Sequence, residues 1–219
     1  MRRLLPLTLS THPSAWVADA AGAGGRQEGH GREPGPCRFC GHPPAGWQEP
    51  FHLNGDHADE GETNVVASCP LCHLAQHLNR PCIEQEAVLI WLPEMTQAAL
   101  NSVARGTHMT LHAHGEPAPM ERRPRAETDE VFAAYAAHKA LQERAAGARA
   151  RLGTTSPRQL GAALLALSPA SYAARAERLG GVRLLPRGRL FRGGEDVYPE
   201  ILAAWAASPA IPAEPGGPA

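Results

Sequence analysis

The chain has no apolar run near the ~18 consecutive residues that a membrane-spanning helix requires, so a spanning segment is excluded. It has no internal repeat, which excludes a solenoid. It lacks a convincing secretory signal. The opening Met1-Arg2-Arg3-Leu4-Leu5-Pro6-Leu7-Thr8-Leu9 is too short in its apolar part, is interrupted by Pro6, and meets polar Ser10-Thr11-His12 with no cleavage site between. The expected location is the cytoplasm, with any membrane association made indirectly through partners. Net charge is also nearly absent, at −1 from 21 basic and 22 acidic residues.

That balance conceals an asymmetry. Residues 27–99 hold three arginines against ten carboxylates. Residues 120–192 hold fourteen Lys/Arg against six carboxylates. Affinity for nucleic acid rests on Lys/Arg neutralising phosphates, so the acidic stretch is a poor match for DNA. The basic half fits an Arg-rich solvated helical surface, a face for nucleic acid, or equally a face for an acidic protein segment.

Cysteine is scarce, at five residues, but its placement is informative. Cys37-Arg-Phe-Cys40 and Cys69-Pro-Leu-Cys72 are two Cys-x-x-Cys pairs separated by 28 residues. Each pair can offer two thiolates from one tight turn, and two turns complete the tetrahedral shell of a structural zinc ion. Two disulfides fit poorly in a chain without a secretory signal. Neither pair sits in a thioredoxin-like βαβ context, so redox catalysis is less expected than zinc. Zn²⁺ on Cys37, Cys40, Cys69 and Cys72 is therefore the expected cofactor site. Cys82 is the odd one, expected as a buried apolar filler.

The expected organisation follows from composition shifts and breakers. Residues 1–36 form an N-terminal segment with a Gly-rich linker. Residues 37–79 are the zinc module. Within it, 47–53 read as a strand that Pro50 confines to an edge, Asn54-Gly55-Asp56 as a turn, and 71–79 as a helix stopped by Pro81. Residues 80–113 supply a strand over Glu86–Leu92 and a helix over 94–105, with Met95, Ala98, Ala99 and Val103 on its apolar face. Residues 114–126, with three prolines, are a linker. Residues 127–207 are a mainly helical region. Its first helix is capped by Thr128, runs to about Arg151 and carries core-facing His138. Ser156-Pro157 and Ser168-Pro169 start two more. Residues 208–219 are a disordered tail. The fold class is α+β: a ββα zinc module braced by two knuckles and followed by a mainly helical region.

The module also holds His52-Leu-Asn-Gly-Asp56-His57, then Asn64, then His73 and His77. This resembles the HNH (ββα-metal) endonuclease pattern. By that resemblance His52 takes the general-base position, Asn64 the middle Asn position and His73 the last His position. His73 and His77, at i and i+4, share a helix face. Phe51 stands where an active enzyme carries a metal-binding Asp or His, and phenylalanine has no lone pair to give. His52, Asn64, His73 and His77 are therefore expected to be vestigial, with no catalytic residue. The alternative is a metal-dependent HNH endonuclease in which Asp56 or His57 substitutes.

A narrower resemblance covers most of the chain. Pro6-Leu-Thr-Leu-Ser10, Cys37-Arg-Phe-Cys-Gly41, Ser68-Cys-Pro-Leu-Cys-His73, Leu89-Ile-Trp-Leu-Pro-Glu-Met-Thr-Gln-Ala98 and Arg175-Ala-Glu-Arg-Leu-Gly-Gly181 resemble the IcmJ/DotN family of type IVB (Dot/Icm) secretion systems. The resemblance implies a non-catalytic adaptor of the coupling complex. Its partners would be the C-terminal region of the coupling ATPase and other secretion-complex proteins, at the cytoplasmic face of the inner membrane.

Overall fold

Five helices among the described residues begin with proline in their first turn, where its missing N–H is no loss and its fixed φ suits the helix. The computed structural model describes residues 3–21 and 35–208. Most of the expected Gly-rich linker and of the expected tail, at 22–34 and 209–219, lies outside them.

In chain order the elements are α1 (Pro13–Ala20), β1 (Glu49–His52), β2 (Val65–Ser68), α2 (Pro70–His73), α3 (Ile83–Glu86), β3 (Ala87–Trp91), α4 (Gln97–Ala113), α5 (Asp129–Glu143), α6 (Ala145–Leu152), α7 (Pro157–Leu165), α8 (Pro169–Ala173), α9 (Arg175–Leu179), β4 (Val182–Pro186), β5 (Phe191–Arg192), β6 (Glu195–Asp196) and α10 (Tyr198–Ala207). The strands form three separate antiparallel pairs. β1 pairs with β2, with Phe51 opposite Val66. β3 pairs with β4, with Leu89 opposite Leu184. β5 and β6 close a tight hairpin over Gly193 and Gly194, both at positive φ. The fold thus mixes many helices with small sheets.

The core gathers Leu71, Leu74, Leu78, Ile83, Leu89, Leu184 and Tyr198, each 2% exposed or less. Helix α7 lies so close to α1 that a Cβ on Gly161 would sit 2.6 Å from the Trp16 ring and 3.0 Å from Leu78. A buried ion pair ties the middle of the chain to its end. Arg80 donates to both oxygens of Glu86, at 2.8 and 2.9 Å, and Glu86 also accepts the Phe191 N–H at 2.7 Å.

Three element boundaries depart from the sequence reading. The helix expected over 71–79 is only α2 and a 3₁₀ turn, Leu74–Gln76, ending at His77. There the chain swings toward α1, where the Asp19 carboxylate accepts from both His77 Nδ1 and the Asn79 N–H. Helix α4 is longer than the expected 94–105, and its buried face is different. Gln97, Leu100, Asn101, Ala104, Thr107, His108 and Leu111 face inward, while Val103 is 40% exposed. The inward face carries polar residues with partners, so apolar periodicity does not reveal it. The single helix expected from Thr128 is two, broken at Arg144, whose carbonyl accepts the Trp91 N–H of β3 at 3.1 Å. Thr128 caps the first as expected, accepting the Val131 N–H at 3.3 Å. No helix among the described residues is long and apolar enough to cross a membrane.

Candidate metal centre and histidine cluster

Local backbone geometry aims the four sulfurs at one point. In the first knuckle the Cys37 carbonyl accepts the Gly41 N–H at 2.9 Å, and Gly41 takes φ +72°, which favours a residue without Cβ. In the second, Cys69 precedes α2, its carbonyl accepting the Cys72 and His73 N–H groups at 3.0 and 2.9 Å. The ligand atoms of Cys37, Cys40, Cys69 and Cys72 all lie within 4.8 Å of one another. Cys40 Sγ and Cys69 Sγ are 3.7 Å apart. Four thiolates at ~2.3 Å from a tetrahedral ion would be separated by about 3.8 Å, so the group fits such an ion. Cys37, Cys69 and Cys72 are buried, and all five cysteines are free. Cys82 stands apart from the group and is half-buried rather than fully buried.

The sulfurs bias one another's ionisation. Hydrogen bonds from Cys37, Cys69 and Cys72 hold the Cys40 thiol far below its usual range. Hydrogen bonds from Cys37 and Cys40 push Cys69 and Cys72 up, and burial adds to this. A cluster that already favours one thiolate suits a cation that recruits the rest, because metal binding takes cysteine as thiolate.

Two residues that the sequence reading missed complete this centre. Asn101 Nδ2 donates to Cys72 Sγ at 3.4 Å and to the Leu71 carbonyl at 3.0 Å. Arg105 Nη1 donates to Cys40 Sγ at 3.5 Å. Both lie on α4 in line with Gln97, which bonds Asn101 Oδ1 and the Leu184 backbone. The available signal was a polar i, i+4, i+8 stripe on a helix following two Cys-x-x-Cys pairs.

Four of the five histidines between residues 37 and 79 form a chain of neighbouring rings. Centroids lie 4.6 Å apart for His52 and His57, 4.9 Å for His57 and His77, and 4.2 Å for His77 and His73. His73 Nδ1 meets Glu49 Oε2 at 2.8 Å, while its Nε2 meets the Pro50 carbonyl at 2.9 Å and His77 Nε2 at 3.1 Å. Both nitrogens of this ring are thus engaged by neighbouring polar groups, which leaves neither one free for a cation. His77 Nδ1 donates to Asp19 Oδ1 at 2.8 Å. Burial pushes Asp19 up to about 6 and His77 well below the usual imidazole range. Burial likewise brings His57 down to about 4.

The remaining predicted positions are structural in their contacts. Asn64 Oδ1 accepts the Asn54 N–H at 2.9 Å, and its Nδ2 donates to the Asp59 carbonyl at 2.7 Å, which closes the hairpin. His52 is buried, with Nε2 3.5 Å from Glu60 and no hydrogen bond on either nitrogen. Asp56 faces Ser14 and its own loop, accepting from Ser14 Oγ at 3.1 Å and from the Ala58 N–H at 3.0 Å. Phe51 is 5% exposed and packs against Phe39 at a centroid distance of 4.5 Å. It is a core residue joining the hairpin to the first knuckle.

The described residues define a mixed helix-and-sheet protein whose four clustered cysteines can hold a metal ion. The chain is similar to the type 4 apparatus protein DotN of Legionella pneumophila, with 37% identity over 76 residues. The match takes in 31% of this chain and 32% of that protein, so the chain spans about a third of the length of the curated relative it matches. The family resemblance, read from the sequence as covering most of the chain, is thus met by a known relative over 31% of it. No family model matches the chain.

Proposed function

We propose that this protein is a non-catalytic, zinc-binding adaptor of a type IVB secretion coupling complex. In this reading it binds the C-terminal region of the coupling ATPase at the cytoplasmic face of the inner membrane, and its zinc module is an HNH-like ββα fold emptied of chemistry. The observation that carries the reading is the similarity to DotN. The four-cysteine group supports it, since a closed sulfur shell braces a fold and leaves no open coordination position for catalysis. The test is co-purification of the metal-loaded protein with the coupling ATPase tail, at low and high salt. Retention at both salts is the expected result. Failure at both, from folded protein, removes the adaptor reading.

A second reading, a metal-dependent endonuclease, draws on the buried chain of His52, His57, His77 and His73. Against it stand Phe51 in the core and the engagement of both His73 nitrogens. Plasmid nicking with Mg²⁺, Mn²⁺ or Ni²⁺ that vanishes in His52→Ala would establish it.

A further inference from the structure

The Arg-rich stretch from Arg175 to Arg192 is mostly engaged within the molecule. Arg175 lies over the Tyr172 ring, Arg183 donates to the Met95 carbonyl, Arg187 to the Glu84 carbonyl, and Arg189 and Arg192 pair with Glu121 and Glu49. Trp91 is likewise covered, with the Arg151 guanidinium 4.0 Å above its ring. Most of these side chains are thus committed within the molecule.

A groove on the other side of the metal centre differs in every respect. It measures about 870 Å³ and runs between residues 3–7, the first knuckle and the N-terminal part of α4. Leu5, Leu7, Ala98 and Ala99 contribute its apolar surface, and Leu4 at its rim is 51% exposed. Two arginines, Arg3 and Arg38, line it, and no carboxylate does. The arginines in ion pairs among the described residues are Arg80, Arg144, Arg189 and Arg192; Arg3 and Arg38 are not among them. A carboxylate-free groove with two guanidiniums outside any ion pair among the described residues suits an anionic occupant.

The backbone beside the groove is also available. The Leu5 N–H donates to the Arg38 carbonyl at 2.8 Å, and the Ser10 N–H to the Ala75 carbonyl at 3.0 Å. Between these anchors, the main-chain groups of half-buried Leu7 and Thr8 make no hydrogen bond to another main chain among the described residues. A segment pinned at two points, with main-chain groups between them that bond no other main chain among the described residues and an apolar trough beside it, can accept a peptide strand. Main-chain bonds would then give affinity and alternate side chains selectivity.

We infer that this groove binds an extended acidic peptide segment of a partner protein, seating its apolar side chains in the trough and its carboxylates on Arg3 and Arg38. Guanidinium recognises carboxylate with a planar fork, which favours an acidic over a merely apolar partner. The inference goes beyond the adaptor reading, because it stands on the groove alone and holds whichever complex the protein serves.

The test uses a phage-displayed library of random twelve-residue peptides, selected on the full-length, metal-loaded protein. Enriched peptides should combine Asp/Glu with Leu or aromatic residues. The best of them, made synthetically, should bind Arg38→Glu ~10-fold or more weakly, and a Glu→Lys version of the peptide should recover binding to that variant. Leu4→Asp should also weaken binding, while Arg158→Glu, at a residue that does not line the groove, should not. Metal content and melting temperature establish that each variant is folded, and the charge-swap recovery distinguishes a lost contact from a lost fold. Three results would overturn the inference: enrichment of basic peptides or none, equal binding to parent and Arg38→Glu, or a concentration-dependent dimer that Leu4→Asp abolishes and the peptide does not displace.

Discussion

The Arg105 guanidinium lies 3.5 Å from Cys40 Sγ and 5.9 Å from the centre of the Trp205 ring, so one cation on α4 bridges the sulfur cluster and the C-terminal helix. A divalent ion on four thiolates carries two net negative charges, and burying that charge is costly unless a cation stands beside it. Arg105→Gln is therefore expected to keep the fold and weaken metal retention by ~10–100-fold, the usual scale for a residue supporting metal ligands. Arg105→Lys should fall between, keeping the charge without the planar fork. Equilibrium competition with a chromophoric chelator reads the difference. Equal retention in Arg105→Gln and parent would remove the assigned role.

Removal of the ion should act on the whole hairpin rather than on the knuckles alone. Cys69 ends β2's approach to α2, and Phe39, between Cys37 and Cys40, packs on Phe51 of β1. Metal binding at such a site is folding free energy. Cys69→Ser, or chelation of the parent, should lower the melting temperature and open residues 37–73 to proteolysis while the β3–β4 region unfolds later. Elemental analysis should find one zinc per chain in the parent. A Cys69→Ser protein with unchanged melting temperature would contradict a structural ion.

Glu86 is fully buried and holds three separate parts of the chain. Its carboxylate takes both donors of Arg80 and the Phe191 N–H, and its carbonyl accepts the Arg187 N–H at 2.8 Å. Glu86→Ala would leave the Arg80 guanidinium buried and unpaired. The expected loss is about 3–5 kcal/mol, against which replacement of both partners by apolar residues would be far milder. Urea unfolding of the single and double variants checks the sign and the non-additivity.

What could be read in advance was what local chemistry dictates. The Cys-x-x-Cys spacing brought the four sulfurs together, and Ser156 and Ser168 cap their helices through the Gln159 and Ser171 N–H groups. The strand β3 was visible as an apolar run, but nothing local states that it pairs with β4, some 90 residues further on. Asn101 and Arg105 escaped notice because a helix face that buries polar groups shows no apolar period. The short α2 has the same origin: a tertiary contact from Asp19 overrides the continuation that the residues after Cys72 would otherwise favour.

Acid should destabilise the protein through its buried histidines, and His138 is the cleanest place to measure it. Both of its ring nitrogens lack partners, and its ring lies 5.2 Å from that of His108 across α4 and α5. Burial first, then Lys139 and Arg187, bring His138 down to about 4, while burial and His138 bring His108 to about 3. A folded-state value below the unfolded one gives stability that is complete above pH ~6.5 and is lost as pH falls toward the folded value. One pH unit into that window costs about 1.4 kcal/mol for each such group. Asp19 works in the opposite sense: burial raises it to about 6, so between about pH 4 and 6 the folded state holds its proton more tightly and stability falls as pH rises. The histidines His42, His57, His77, His108 and His138, all shifted down, outnumber it. His138→Leu removes one titrating group and two unsatisfied nitrogens at similar volume. The variant should be at least as stable as the parent at pH 7, and its stability should fall less steeply between pH 6.5 and 4.5, by about one proton taken up on unfolding. Denaturant melts at pH 7, 6 and 5 measure both quantities, and parallel pH profiles for parent and variant would show that His138 does not set the acid limit.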